Sequence, residues 1–229
     1  MQDLILLHGA IGASDQLLPL SKSLASKGFK VHCLCFSGHG KLPFHEAFSI
    51  EQFAVELYQF IIEKNLIQPA VFGYSMGGYV SLYLASQKPN LMGKIATLAT
   101  KFDWTPEGAL KEAGMLNPDV LQQKVPQFAE ALQKRHGEQW VELLQKTAAM
   151  MKVLGDEPLL TETLIKAVEN PVMLGLGDKD TMVTLEETRK VFTQLTLANM
   201  FMLPNTKHPI EGVNVDLLSG ILEGFYKAS

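Results

Sequence analysis

Six short apolar runs recur along the chain: Leu4–Leu7, Lys30–Phe36, Ala70–Phe72, Lys94–Ala99, Val172–Leu176 and Met200–Leu203. Most are continuous rather than alternating, which is the pattern of strands covered on both faces. Between them the apolar spacing becomes helical. Leu17, Leu20 and Leu24 share one face, with Gly28 as a stop. Phe53, Leu57, Phe60 and Ile61 share another, with Ser49 standing at N-cap spacing from Gln52. Val80 to Ala85 continue from a glycine-rich segment and end before Pro89-Asn90, while Val213, Leu217, Leu218 and Ile221 mark a last amphipathic helix. Strands alternating with helices predict an α/β fold with a doubly wound, parallel sheet.

One interval breaks this rhythm. About seventy residues between Ala99 and Pro171 carry helical patterning and no strand, and Pro106, Pro118, Pro126 and Pro158 divide them. Such a stretch is too long for an ordinary connection. We expect residues 101–170 to form a helical cap insertion over the carboxyl edge of the sheet, where ligands of open α/β sheets bind. Residues 1–100 and 171–229 then make the core.

Composition narrows the class. A chain of 229 residues, 47% hydrophobic and 19% charged, fits one globular domain with an insertion. A net charge of −4 and the lack of a Lys/Arg cluster argue against a nucleic-acid partner. No run approaches the roughly 18 apolar residues of a membrane span. Leu4–Leu7 is too short for a signal-peptide core and has no basic leader, so a cytoplasmic location is expected. Cys33 and Cys35 alternate on one strand with parallel Cβ vectors, which opposes a disulfide, and no further ligands stand at metal spacing. Buried free thiols are the expectation, and no metal.

The chemistry concentrates in three loops. Gly73-Tyr74-Ser75-Met76-Gly77 fits G-x-S-x-G and lies directly between a strand and a helix. That context suits a nucleophile elbow, a turn so tight that its neighbours must be small and its serine hydroxyl stands above the sheet edge. The alternative, a phosphate-cradling turn, lacks the P-loop lysine. His8-Gly9-Ala10-Ile11-Gly12 follows the first strand, so the Ala10 N–H can join that of Met76 as an oxyanion hole. The chain holds six histidines, and a nucleophile–acid–base order leaves His136 and His208 after Ser75. His208 sits in a polar loop after the last strand, whereas His136 lies in polar surroundings within the insertion. The acid falls among Asp178, Asp180 and Asp103.

Together the HG turn, Ser37-Gly38-His39-Gly40, the GYSMGG elbow, the GDKD turn and the terminal histidine loop resemble the α/β-hydrolase superfamily, especially small capped esterase-like members. They span nearly the whole chain. The resemblance implies a fold lacking the usual first two strands, hence six parallel strands with the second at an edge, exposed or paired in a homodimer. It selects Asp180 as the acid, because Gly177, Asp180 and Val183 fill the family's Gly-x-x-Asp-x-x-Val form. Ser75, His208 and Asp180 are then the catalytic residues of acyl transfer on a small ester, thioester or lactone, with no cofactor. Relatives also include C–C bond hydrolases, a lyase using the same triad, and non-catalytic ligand-binding proteins. The family often reads Asp-x-x-Gly-His-Gly where this chain has Phe36 and Ser37 before Gly38. Phe102, Trp104, Met115, Leu116, Phe128, Trp140, Met150 and Met151 of the insertion are candidates for an apolar substrate pocket.

Overall fold

In the computed structural model, which describes residues 1–228, six strands form one sheet: β1 (Gln2–Leu7), β2 (Phe29–Leu34), β3 (Ala70–Tyr74), β4 (Ile95–Leu98), β5 (Val172–Gly177) and β6 (Ala198–Leu203). Their spatial order is β2-β1-β3-β4-β5-β6, and every pair is parallel. Ten α-helices lie among the described residues: α1 (Leu18–Ser26), α2 (Ile50–Glu63), α3 (Met76–Gln87), α4 (Pro106–Gly114), α5 (Pro118–Lys124), α6 (Pro126–His136), α7 (Trp140–Asp156), α8 (Glu162–Lys166), α9 (Leu185–Gln194) and α10 (Val215–Lys227). No described helix is long and apolar enough to cross a membrane.

The continuous apolar runs supply both faces of the sheet. Ile5, Leu7, Val71, Ile95, Val172 and Leu174 point into one core with α2 and α3. Leu4, Leu6, Ala70, Phe72, Ala96 and Leu98 point into the other, against Leu20, Leu24, Leu218 and Leu222 of α1 and α10. Side chains of successive strand residues alternate between faces, so one run serves both layers. Each fully buried Leu, Ile or Phe contributes about 1.5–3 kcal/mol.

The helices begin where local chemistry permits. Ser49 Oγ accepts the Gln52 N–H at 3.2 Å and caps α2. Thr105-Pro106 opens α4 and Asn117-Pro118 opens α5, each with a side-chain cap followed by a residue that needs no amide hydrogen. Pro106, Pro118 and Pro126 thus start helices in the interval between β4 and β5, whereas Pro158 lies between α7 and α8. Leu121, Ala129, Leu132, Trp140 and Leu144 of α5, α6 and α7 form a small cluster of their own. Met150, Leu154, Leu160, Ile165 and Val168 instead join the main core.

Cys33 and Cys35 are free but only half-buried, which corrects the expectation of buried thiols. Cys33 lies on β2 and Cys35 just beyond its end, and β2 is an edge of the sheet, so only one of its sides finds a neighbour. Asp3 of β1 pairs across it with His32 at 2.7 Å and Lys30 at 3.3 Å.

The connectivity decides where a ligand can enter. The chain leaves β1 toward β2 on one side, then crosses to β3 on the other. Loops after β1 and β3 therefore diverge, opening a crevice at the carboxyl ends of the strands. Leu7 pairs with Gly73, so the HG turn and the serine turn emerge side by side.

Candidate active site

The serine turn is built by close approach. A Cβ on Gly73 would stand 2.4 Å from Gly78 N, and one on Gly77 would stand 2.6 Å from Leu7 Cβ and 2.7 Å from Leu7 O. Only glycine lets α3 fold back so closely over β3 and β1. Ser75 itself sits at φ 50°, ψ −116°, a strain of about 1–3 kcal/mol that surrounding bonds must hold. Ser75 N–H donates to Leu98 O at 2.8 Å, and Thr100 Oγ1 donates to Ser75 O at 3.1 Å. The Ser75 hydroxyl makes no hydrogen bond among the described residues, and Ser75 lines the cleft.

Across that cleft, His208 meets Asp180. The carboxylate can only accept, so His208 Nδ1 carries the proton it gives to Asp180 Oδ2 at 2.8 Å. The other oxygen, Oδ1, takes the N–H groups of Met182 at 2.8 Å and Val183 at 3.0 Å. The Asp180 side chain is fully shielded from solvent. Burial pushes its carboxyl up, but the bond and charge of His208 and the two backbone donors outweigh that and leave it below the ordinary value. Tyr74 OH donates to His208 O at 2.9 Å, tying the histidine loop to the residue beside Ser75. His208 lines the same cleft as Ser75, and its Nε2 makes no hydrogen bond among the described residues.

The other two acid candidates lie elsewhere in the network. Asp178 is exposed and its Oδ1 accepts the Thr206 N–H at 3.0 Å. It therefore braces the loop that carries His208, not merely its own turn. Asp103 is exposed, and its backbone N–H donates to Glu187 Oε2 at 2.9 Å. Glu187 was not singled out as a site residue, although Thr184-x-x-Glu187 is a capping-box spacing. It is buried, closes that box, and also takes the Phe102 N–H at 3.1 Å, fixing the loop after β4.

Ala10 and Met76 both line the cleft beside Ser75, and neither backbone N–H has a protein partner among the described residues. Ile11, next to Ala10, holds φ 51°, an unusual angle for a β-branched residue. His136 secures it: its Nε2–H donates to Ile11 O at 2.9 Å while Nδ1 accepts the Gly40 N–H at 3.0 Å. The polar surroundings expected for His136 are corrected here. It is 1% exposed and stands near His39, which in turn stands near His8. No described cluster of His, Cys, Asp or Glu could hold a metal ion.

The remaining wall is largely apolar. Of the insertion residues singled out earlier, Trp104, Met150 and Met151 reach the cleft. Leu116 and Trp140 pack in the small cluster of the insertion, Phe102 lies against the main core, and Met115 and Phe128 are exposed. Periodicity left out Ile50, Tyr79, Lys101, Glu112 and Leu154, which also line it. Free space in the cleft is about 50 Å³, room for a few waters.

Residues 4–154 match the family model described as alpha/beta hydrolase fold. An sn-1-specific diacylglycerol lipase ABHD11 from Xenopus laevis is 26% identical over 137 residues, covering 59% of this chain and 39% of the lipase. A pimeloyl-(acyl-carrier protein) methyl ester esterase from Vibrio cholerae is 28% identical over 120 residues, covering 52% of this chain and 44% of the esterase. The matched part thus spans less than half the length of these curated relatives. Among solved structures, the enol-lactonase from Burkholderia xenovorans LB400 superposes with a TM-score of 0.79 at 17% identity, covering 99% of this chain and 92% of that one. At that identity the likeness is one of fold.

Proposed function

The chain belongs to the alpha/beta hydrolase fold family, and from that premise we propose that it is a serine hydrolase cleaving a small ester-like substrate. The observation that carries this reading is the His208 Nδ1–Asp180 Oδ2 bond of 2.8 Å beside a strained serine turn in one cleft. Esterases and lipases among the curated relatives support it.

In this reading Ser75 Oγ attacks the ester carbonyl while His208 Nε2 takes its proton. Asp180 holds the imidazole in the tautomer whose Nε2 is free and stabilises the imidazolium that forms. The carbonyl oxygen becomes an oxyanion, met by the unpaired N–H groups of Met76 and Ala10. The N-terminal end of α3, which begins at Met76, favours that negative charge further. His208 then returns the proton to the departing alkoxide, leaving an acyl-Ser75 ester. Water attacks this ester by the same route and restores the serine.

The apolar wall suits a substrate with an apolar part. Residues 101–170 act as a cap in this reading, because Trp104, Glu112, Met150 and Met151 all belong to them and line the cleft.

Labelling by a fluorophosphonate probe and hydrolysis of short esters test the assignment. Wild-type protein should react with both, and Ser75→Ala should lose the label and nearly all turnover while keeping its thermal melt. Turnover at the wild-type rate by purified Ser75→Ala would rule out the proposed nucleophile.

A further inference from the structure

Among the apolar residues of the cleft, three polar groups have no use in the mechanism above. Glu112, on α4, is 8% exposed and lines the cleft, and its side chain has no hydrogen-bond or ion-pair partner among the described residues. Trp104 Nε1, another cleft group, is a buried donor with no acceptor among the described residues. Among the described residues Lys101 makes no ion pair; its Nζ donates to Met182 O at 3.4 Å and lies 5.7 Å from the Trp104 ring. Buried polar groups are nearly always paired, so the unpaired Trp104 Nε1, beside the buried Glu112 side chain and the half-buried Lys101, calls for a ligand in this cavity.

We propose that Glu112, Lys101 and Trp104 form a specificity subsite for a neutral hydroxyl group on the substrate, so that the preferred ester carries a hydroxyl on its acyl or alcohol part. The proposal rests on the hydrolase reading and deepens it. The charges choose the ligand. An ammonium group would satisfy Glu112 but meet the positive Lys101, and a carboxylate would satisfy Lys101 but meet Glu112. A plain alkyl chain would leave the Glu112 carboxylate and Trp104 Nε1 without a partner. A hydroxyl donates its hydrogen to the Glu112 carboxylate and accepts from Lys101 Nζ or Trp104 Nε1–H through its lone pairs. The carboxylate bond is the charge-assisted one, and it sets the preference.

Two ester panels test this with the 229-residue chain. The first holds the alcohol fixed and compares hexanoate, 6-hydroxyhexanoate, 6-aminohexanoate and adipate monoesters. The second holds the acid fixed and compares butyl with 4-hydroxybutyl esters. In one panel or the other, kcat/KM for the hydroxylated ester should exceed that of the alkyl ester by roughly ten- to hundred-fold. The ratio should collapse toward one in Glu112→Leu and survive in part in Glu112→Gln, whose amide oxygen still accepts. An alkyl, amino or carboxylate ester preferred over the hydroxylated one overturns the proposal. So does a hydroxyl preference that persists in Glu112→Leu.

If the wild type hydrolyses no ester, the nucleophile reading fails, and the subsite is then read by binding. Thermal melts with 6-hydroxyhexanamide or hexanamide should show selective stabilisation by the former that Glu112→Leu removes. Equal stabilisation by both amides, or none by either, overturns the subsite itself.

Discussion

Lowering the pH from 7.5 to 5.5 should destabilise the fold through histidines that lie outside the proposed catalytic pair. His8 and His39 are wholly buried and His136 nearly so. His8 Nδ1–H donates to Gly9 O at 2.8 Å, and its Nε2 accepts the Phe36 N–H at 3.1 Å. A second proton on His8 would point at an amide hydrogen, and one on His136 Nδ1 would point at that of Gly40. Burial holds His8 down at about 4, with His136 and Arg135 pushing it lower and the Gly9 carbonyl and Asp15 pulling it up. Burial likewise lowers His39, aided by the neighbouring His8 and His136, and lowers His136 beside Arg135.

Each folded value lies below the unfolded one, near 6.5, so the unfolded chain binds more protons as the pH falls. Their contribution is complete above about pH 7 and is lost progressively toward the folded value. For His8 alone the linkage integral between pH 7.5 and 5.5 is about 1.3 kcal/mol. That corresponds to roughly 3–5 °C in Tm for a chain of this size, and His39 and His136 add in the same direction. The assay is a thermal melt at the two pH values, alongside an NMR titration of the six histidine rings. His45→Gln, at an exposed position, should leave the pH dependence unchanged. Equal Tm at both pH values, or six rings all titrating near 6.5, would refute the reasoning.

Asp180→Asn should cut kcat by roughly 10³–10⁴-fold, because an amide facing His208 Nδ1 selects the wrong tautomer. Asp178→Asn and Asp103→Asn should cost far less on the same ester; a reversed ranking of kcat would reassign the acid. Gly77→Ala places a Cβ 2.6 Å from Leu7 Cβ and 2.7 Å from Leu7 O, and overpacking of this kind costs about 1–3 kcal/mol. A urea midpoint equal to wild type would show that the serine turn can relax. Met151→Ala should enlarge the cleft and move the kcat/KM optimum toward longer acyl chains, whereas an unchanged chain-length profile would place Met151 off the substrate path.

Much of this fold was legible in the order of residues. Runs such as Val172–Leu176 name a doubly covered strand because the chain within one run must serve both faces. Ser49 before Gln52, and the glycines around Ser75, report bonds and clearances made within a few positions. The spacing of Gly177, Asp180 and Val183 likewise reflects a local turn, whose Val183 N–H returns to Asp180 Oδ1. What the sequence left dark depends on partners far along the chain. His136 is polar among polar neighbours, and only the packing of α6 against the first loop carries it to Ile11, 125 positions away, and to Gly40, 96 positions away. Asp178 and Thr206 meet across 28 positions because β5 and β6 are neighbours in the sheet. Glu112 reads as the solvated face of a short helix until α4 is laid over the cleft. Helical period, caps and turns are set by forces acting within a few residues, so the sequence determined them. Burial of a charge is set by whatever packs over it, and that the tertiary structure alone decided.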